Sequence, residues 1–177
     1  MKTRSLILTA LFAALTAVGA FLKIPFPLSA ITLQFFFTAM AGTLLGKKYG
    51  ALSQAVYVLL GLVGVPIFAL GGGFSYVFQP TFGFLLGLIP SAWVIGSLAR
   101  RPLTFWRSVT AMLAGLAVLY AIGVPYMALI ANAYLGKALT FWQVLKNGML
   151  IYLPGDMLKI AAGSALSCAV TRRIPNL

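Results

Sequence analysis

Long uninterrupted apolar runs constrain this chain more than any other feature of its sequence. Two of them, residues 6–22 and 109–131, come close to the roughly 20 residues that a helix needs to cross the hydrocarbon core of a bilayer. Inside a bilayer the backbone must satisfy its own hydrogen bonds, so a spanning chain forms helices or a closed barrel. Barrel strands alternate apolar and polar residues, and these runs do not. The sequence therefore predicts an all-α integral membrane protein.

The composition and length extend this prediction. The chain is 62% hydrophobic and 8% charged, whereas soluble domains are about one quarter charged. Its 177 residues leave room for six spans with short connections, so we expect one membrane domain over residues 1–177. Proline and glycine clusters between the apolar runs place the predicted spans at residues 5–22, 28–45, 51–68, 81–99, 108–131 and 149–170.

The basic residues predict how the spans are oriented. A net charge of +12 would suggest nucleic acid as a partner of a soluble protein, but here the charges lie mostly between apolar runs, so we expect no nucleic-acid partner. With the N-terminus inside, the inner side carries nine basic residues and the outer side three: Lys2, Arg4, Lys47, Lys48, Arg100, Arg101, Arg107, Arg172 and Arg173 against Lys23, Lys137 and Lys146. The positive-inside rule then predicts a multi-pass protein of the cell membrane with both ends in the cytoplasm.

The chain lacks the residues that several classes of catalytic chemistry require. The chain has one cysteine, one acidic residue and no histidine, so we expect no metal site, no Ser-His or Cys-His nucleophile pair and no paired carboxylates. Gly42, Gly46 and the two lysines after them do not fit a phosphate-binding loop, because the spacing is short and no Ser or Thr follows. We interpret Gly42 and Gly46 as a small-residue helix contact. The chain is predicted not to be an enzyme.

Asp156 is the single acidic residue, and Lys159 follows it by one helical turn near the start of the sixth span. An ionisable residue within a span usually faces the interior of the bundle and indicates a functional site. The alternative is a structural ion pair, or side chains that extend to the membrane interface. Pro154 and Gly155 are expected to loosen the first turn and to leave backbone groups facing a cavity that opens to the outside.

The composition of two outer connections suggests their roles. Residues 69–81 are uncharged and rich in glycine and aromatic residues, which is typical of a lid over the outer mouth or of an ordinary interfacial loop. In the last connection, Leu135, Leu139 and Trp142 are at helical spacing, which predicts an interfacial helical segment.

A stripe of small residues runs along the first span, through Ala10 and Ala14. Small residues let another helix approach closely. The spacing alone is equally consistent with packing inside the bundle and with docking of a separate subunit.

Five sequence blocks occur in a characteristic order: residues 31–34 (ITLQ), 45–51 (LGKKYGA), 61–68 (GLVGVPIF), 79–87 (QPTFGFLLG) and 153–159 (LPGDMLK). With these blocks the chain resembles the BioY family, the biotin-specific substrate-binding (S) components of energy-coupling factor transporters. The resemblance covers nearly everything from the second predicted span to the last. The fourth block departs from the commonest pattern, with Gln79 and Phe82 where glycine is frequent and Phe84 in place of tyrosine.

The resemblance implies a six-helix fold that binds biotin on the outer side and needs no cofactor. It also implies a complex with a transmembrane coupling protein and two cytoplasmic ATPase subunits. Asp156 and Lys159 match the residues that line the family's biotin site, and Ala10 and Ala14 match its alanine stripe for docking on the coupling protein. The further candidate ligand contacts are Thr32, Gln34, Gly72, Gly73, Gln79 and Thr81.

Two alternatives remain open from the sequence. The first is an S component for a different vitamin, which would share the fold and the alanine stripe. The second is a small membrane assembly factor without a ligand, in which Asp156 and Lys159 are only structural.

Overall fold

The computed structural model describes residues 3–26 and 29–174, and most of them are helical. Lys2 and Leu28, the predicted start of the second span, lie outside the described residues. The main elements are α1 (Thr3–Phe21), β1 (Lys23–Phe26), β2 (Ser29–Thr32), α2 (Gln34–Leu62), α3 (Phe82–Leu98), α4 (Phe105–Leu129), α5 (Phe141–Leu145) and α6 (Leu153–Arg173). Helix α2 packs against α1, α3 and α6, and α4 packs against α3 and α6.

Helix α2 is two helices joined by a sharp bend. Gly46 has φ 75° and ψ 179°, which is not helical. Across the bend, the Gln34 Nε2 atom lies 2.7 Å from the Tyr57 hydroxyl, although a straight helix would separate these residues by roughly 35 Å. A first arm (34–45) and a second arm (47–62) therefore run antiparallel.

Glycines let the two arms and α3 approach closely. A Cβ on Gly50 would lie 2.9 Å from the Gly42 Cα, and a Cβ on Gly42 would lie 2.8 Å from the Ala92 carbonyl oxygen. The predicted contact at Gly42 is therefore confirmed. The prediction for Gly46 is wrong: this residue has open space beside it and supplies the positive φ of the bend. Gly96 of α3 packs against the bend instead, with a Cβ there 2.3 Å from the Lys47 nitrogen.

A short antiparallel hairpin replaces the start of the second predicted span. Strand β1 pairs with β2, with Lys23 opposite Thr32. Pro25 lacks an N–H and disfavours a helix here, while the β-branched residues of both strands favour extended backbone. The helix expected from residue 28 therefore begins only at Gln34, and the described residues form a mainly helical fold that includes this hairpin.

Two other predicted helical boundaries are corrected. The third span was expected to reach Phe68, but α2 ends at Leu62, before Gly64 with φ 116° and Pro66. The predicted interfacial helix through Leu135, Leu139 and Trp142 is also wrong. Gly136 and Ala138 have positive φ values of 62° and 46°, which interrupt a helix.

Helical structure resumes at α5 after this interruption. The Thr140 side chain accepts from the Gln143 N–H and the Gln143 side chain accepts from the Thr140 N–H, which forms a capping box. A π-helical turn, Lys146–Leu150, then leads towards α6.

Length and apolarity alone identify fewer spans than the six predicted. Among the described residues, Thr3–Phe21 and Phe105–Tyr134 are long and apolar enough to cross a membrane, and Phe82–Leu98 is apolar but shorter. Both arms of α2 are short and meet at Gly46 next to two lysines, and α6 carries charged residues at both ends. These two helices bury polar side chains within the bundle.

The basic segments gather at one end of the bundle. Gly96 near the end of α3 meets the α2 bend at Lys47, and Thr43, just before the bend, lies 3.0 Å from Ser167 near the end of α6. The opposite end holds the β hairpin and the connection from α2 to α3. There the Lys23 ammonium donates to the Ala69 carbonyl, which ties the hairpin to that connection.

Candidate functional site

A cavity lies among α2, α3, α4 and α6, at the end of the bundle that holds the β hairpin. Most of its wall is apolar, and polar side chains reach it from α2, α4, α6 and the α2–α3 connection. The lining residues are Thr32, Gln34, Phe35, Ala69, Leu70, Tyr76, Thr81, Phe84, Leu85, Leu88, Leu119, Tyr120, Tyr152, Asp156 and Lys159. This combination of apolar walls and few polar groups is typical of a small-molecule site.

The Asp156 carboxylate lines the cavity and is hydrogen-bonded through both of its oxygens. It lies in the first turn of α6 and is 5% exposed. One oxygen, Oδ1, accepts from the Lys159 ammonium at 2.7 Å, and the other, Oδ2, accepts from the Tyr120 hydroxyl at 2.5 Å. The three-residue spacing puts Asp156 and Lys159 on one helix face, as predicted.

The first turn of α6 is regular. The Asp156 N–H donates to the Tyr152 carbonyl at 2.9 Å, and Pro154 occupies one of the first helical positions, where its missing N–H costs nothing. Pro154 and Gly155 therefore do not leave the Asp156 N–H free, and the other free backbone groups expected in this turn stay a prediction. Helix α6 holds Asp156 and Lys159 on one face of its first turn.

Tyr120 is the partner of Asp156 that the sequence reasoning missed, and Tyr76 and Tyr152 are further cavity residues that it did not name as candidate contacts. Tyr120 lies within the apolar run of α4, and its ring meets Phe84 edge to face, with centroids 6.5 Å apart. A buried hydroxyl needs a hydrogen-bond partner, and this chain has only one acidic residue. A tyrosine in the middle of a predicted span was therefore a usable signal for a partner of Asp156.

A second polar group lines the cavity from the start of α2. The Thr32 hydroxyl donates to the Gln34 side-chain oxygen at 2.9 Å, and Gln34 Nε2 donates to the Tyr57 hydroxyl at 2.7 Å. The Tyr57 hydroxyl donates in turn to the Ile67 carbonyl at 3.0 Å. The Gln34 amide is thus held by the second arm of α2.

The α2–α3 connection covers one side of the cavity. It contributes Ala69, Leu70, Tyr76 and Thr81 to the wall. The hydroxyls of Tyr76 and Thr81 lie 3.3 Å apart, and burial raises the pKa of Tyr76 above its ordinary value of 10.0. Tyr76 is therefore a neutral phenol at physiological pH.

Three predicted ligand contacts in this connection lie outside the set of lining residues: Gly72, Gly73 and Gln79. A Cβ on Gly72 would lie 2.2 Å from the Val65 carbonyl oxygen, and Gly73 has φ 100°. The Gly73 N–H donates to the Gly61 carbonyl at 2.7 Å and the Gln79 N–H to the Tyr76 carbonyl at 2.9 Å. These residues shape the connection, whereas Thr32, Gln34, Thr81, Asp156 and Lys159 meet at the cavity.

Ala10 and Ala14 lie on the exposed side of α1. Ala13 on the neighbouring stripe is buried and Ala17 is half-buried. Packing inside the bundle therefore does not account for Ala10 and Ala14, which leave a shallow surface open to a partner. Docking there stays a prediction.

The site is equipped for binding. An ion pair, a phenol and an amide supply donors and acceptors for a small polar ligand, and the apolar walls can bury the remainder. No group of three His, Cys, Asp or Glu side chains able to hold a metal occurs in the described part of the chain.

Comparison with known proteins identifies the family. The BioY family profile matches residues 1–176. The chain belongs to the BioY family. A probable biotin transporter BioY of Lysinibacillus sphaericus is 45% identical over 93% of this chain and 85% of its own length. The biotin transporter BioY of Rhizobium etli is 35% identical over 100% of this chain and 98% of its own length.

The overall fold of the chain is also similar to that of a solved structure. The chain is similar to a crystal structure of the S-component for biotin from an ECF-type ABC transporter, with a TM-score of 0.82 and 22% sequence identity. The match covers 97% of this chain and 92% of the other. The resemblance drawn from the five sequence blocks is thus confirmed. The family is one of membrane transport components and not of enzymes.

Proposed function

We propose that this chain is the biotin-binding S component of an energy-coupling factor transporter. It binds biotin at the outer side of the membrane. A transmembrane coupling protein and two cytoplasmic ATPase subunits supply the ATP-driven step. Membership of the BioY family supports the ligand, and the described residues offer an amphiphilic cavity that suits it.

The proposed arrangement is a single domain over residues 1–177 in the cell membrane. The six crossings are α1, the two arms of α2, α3, α4 and α6, with both chain ends in the cytoplasm. The antiparallel arms of α2 support two crossings where one continuous helix would give one. The basic segments at one end of the bundle support an inner side at that end.

In the proposed site, biotin contacts both the polar and the apolar residues of the cavity wall. Its ureido group has N–H donors and an oxygen acceptor, its ring and chain are apolar, and it ends in a carboxylate. The Asp156 oxygens each hold one donor, and a carboxylate has about four lone-pair sites, so Asp156 can also accept from a ureido N–H. Lys159 can donate to a ligand oxygen, and Thr32, Gln34 and Thr81 add neutral polar contacts. Gly72, Gly73 and Gln79 support the lid backbone in this proposal.

The proposed docking surface for the coupling protein is the Ala10–Ala14 side of α1. Its support is the exposure of both alanines and the close approach that small residues allow between membrane helices.

One observation carries the proposal: the chain's single acid, paired with Lys159 and Tyr120, lines a mostly apolar cavity in a BioY-family fold. The test is calorimetry on the purified, monodisperse subunit with biotin, and with thiamine as a vitamin of different chemistry. We expect saturable binding of biotin and none of thiamine. Binding of thiamine without biotin, or of neither vitamin, would overturn the proposal.

A further inference from the structure

A cluster of buried polar side chains, which we call the polar junction, lies where α1 meets the two arms of α2. It consists of Thr16, Thr38, Ser53 and Gln54, all with 0% exposure. The Gln54 Nε2 atom donates to the Thr16 hydroxyl at 3.2 Å and to the Ser53 hydroxyl at 3.0 Å. The Gln54 Oε1 atom accepts from the Thr38 hydroxyl at 2.9 Å. One amide therefore connects α1 to both arms.

The three hydroxyls of the polar junction do not need Gln54 as an acceptor. Each can donate to a carbonyl of its own helix: Thr16 to Phe12 at 2.8 Å, Thr38 to Gln34 at 2.9 Å and Ser53 to Gly50 at 2.7 Å.

Each hydroxyl has a single proton to donate. Thr16 and Ser53 accept from the Gln54 amide and keep their protons for these carbonyls. The Thr38 proton alone is shared, between the Gln34 carbonyl and Gln54 Oε1.

The polar junction connects the cavity with the buried face of α1, which lies opposite the exposed face that carries Ala14. At one end, Gln34 lines the cavity and its carbonyl competes for the Thr38 proton. At the other end, Thr16 lies on α1, half a turn beyond Ala14. A ligand that shifts the first turn of α2 at Gln34 would move this main-chain carbonyl, and would thereby change the competition at Thr38 and the bond between Gln54 and α1.

We propose that Gln54 is a positioning residue for transport, which transmits ligand occupancy from Gln34 through Thr38 to Thr16 on α1. A leucine of similar size would fill the same space, and the hydroxyls would keep their own carbonyl partners. What a buried glutamine adds here is a set of cross-helix hydrogen bonds that fix how α1 sits on α2. The inference rests on the proposed function, because it takes biotin as the ligand.

The test uses Gln54→Leu, Thr16→Val and the double variant, with Thr43→Val as the matched control. Thr43 is also buried and bonds Ser167 of α6, so its loss removes a comparable interhelical bond away from α1. Three quantities are measured for each protein: the biotin Kd of the isolated subunit, biotin-dependent hydrogen–deuterium exchange of α1 backbone amides, and ATP-driven biotin uptake by the reconstituted complex.

We expect biotin to slow exchange in α1 of the wild-type protein and of Thr43→Val. In Gln54→Leu and Thr16→Val this response should disappear and uptake should fall about fivefold, while the biotin Kd changes less than about twofold. The double variant should lose no more uptake than either single variant, because both substitutions interrupt the same pathway. A role in stability alone would lower the melting temperature without abolishing the biotin response.

Three results would overturn the inference. A normal α1 response and uptake within about twofold of wild type in Gln54→Leu would refute it while leaving the proposed function intact. A loss of biotin affinity as large as the loss of uptake would assign Gln54 to the binding site instead. A wild-type subunit that binds no biotin would refute the proposed function together with the inference.

Discussion

Asp156→Asn is the sharpest perturbation of the proposed site. The introduced amide can keep both existing hydrogen bonds, by accepting from the Lys159 ammonium and donating to the Tyr120 oxygen, so the cavity retains its shape. What the variant loses is the negative charge. Hydrogen bonds to charged groups contribute about 1.5 to 3 kcal/mol, which is roughly a tenfold or greater loss of affinity for biotin.

The structure predicts that Asp156 and Lys159 contribute to biotin binding in an energetically coupled way. Because Lys159 Nζ and Asp156 Oδ1 are 2.7 Å apart, the losses in Asp156→Asn and Lys159→Met should not add in a double-mutant cycle. Each single variant leaves one buried charge unpaired, which also lowers stability by on the order of a few kcal/mol.

The assay is calorimetry with biotin on monodisperse protein, with melting temperatures measured in parallel. Ser91→Ala is the control, since Ser91 donates to the Gly115 carbonyl between α3 and α4 and does not line the cavity. Unchanged affinity in a folded Asp156→Asn variant, or additive losses in the cycle, would refute the assignment of this pair to the ligand.

Three further predictions concern Tyr120, the docking face and the topology. Tyr120→Phe removes one hydrogen bond to Asp156 and should weaken biotin binding by about 1 kcal/mol, measured by the same calorimetry; an unchanged Kd would exclude Tyr120 from ligand recognition. Tryptophan at Ala10 or Ala14 should impair assembly with the coupling protein in pull-downs and preserve biotin binding, and lost binding in a folded variant would contradict the docking role. In a Cys168→Ser background, Lys48→Cys and Lys137→Cys should be labelled from opposite sides of intact cells; labelling of both from outside would contradict the six-crossing arrangement.

Local physics accounts for what the sequence could predict. Uninterrupted apolar runs identify membrane helices because the bilayer imposes both length and backbone pairing. The Asp156–Lys159 pair was predictable because helical spacing fixes which residues share a face, and the structure confirms their contact at 2.7 Å.

Contacts between distant segments account for what was missed. Gly46 fits a helix-contact pattern as well as a bend, and the positive φ of Gly46 with the open space beside it distinguishes the two. Tyr120 is one aromatic residue in an apolar run until α6 brings Asp156 to its hydroxyl. Gly72 fits a ligand-facing lid equally well, but its space is taken by the Val65 backbone.

Biotin is proposed to bind in the cavity among α2, α3, α4 and α6. The most direct test is an experimental structure of the protein with biotin. We expect ligand density in this cavity, with polar biotin atoms within hydrogen-bonding distance of the Asp156 carboxylate and the Lys159 ammonium. Biotin bound elsewhere, with the Asp156–Lys159 pair untouched, would contradict it.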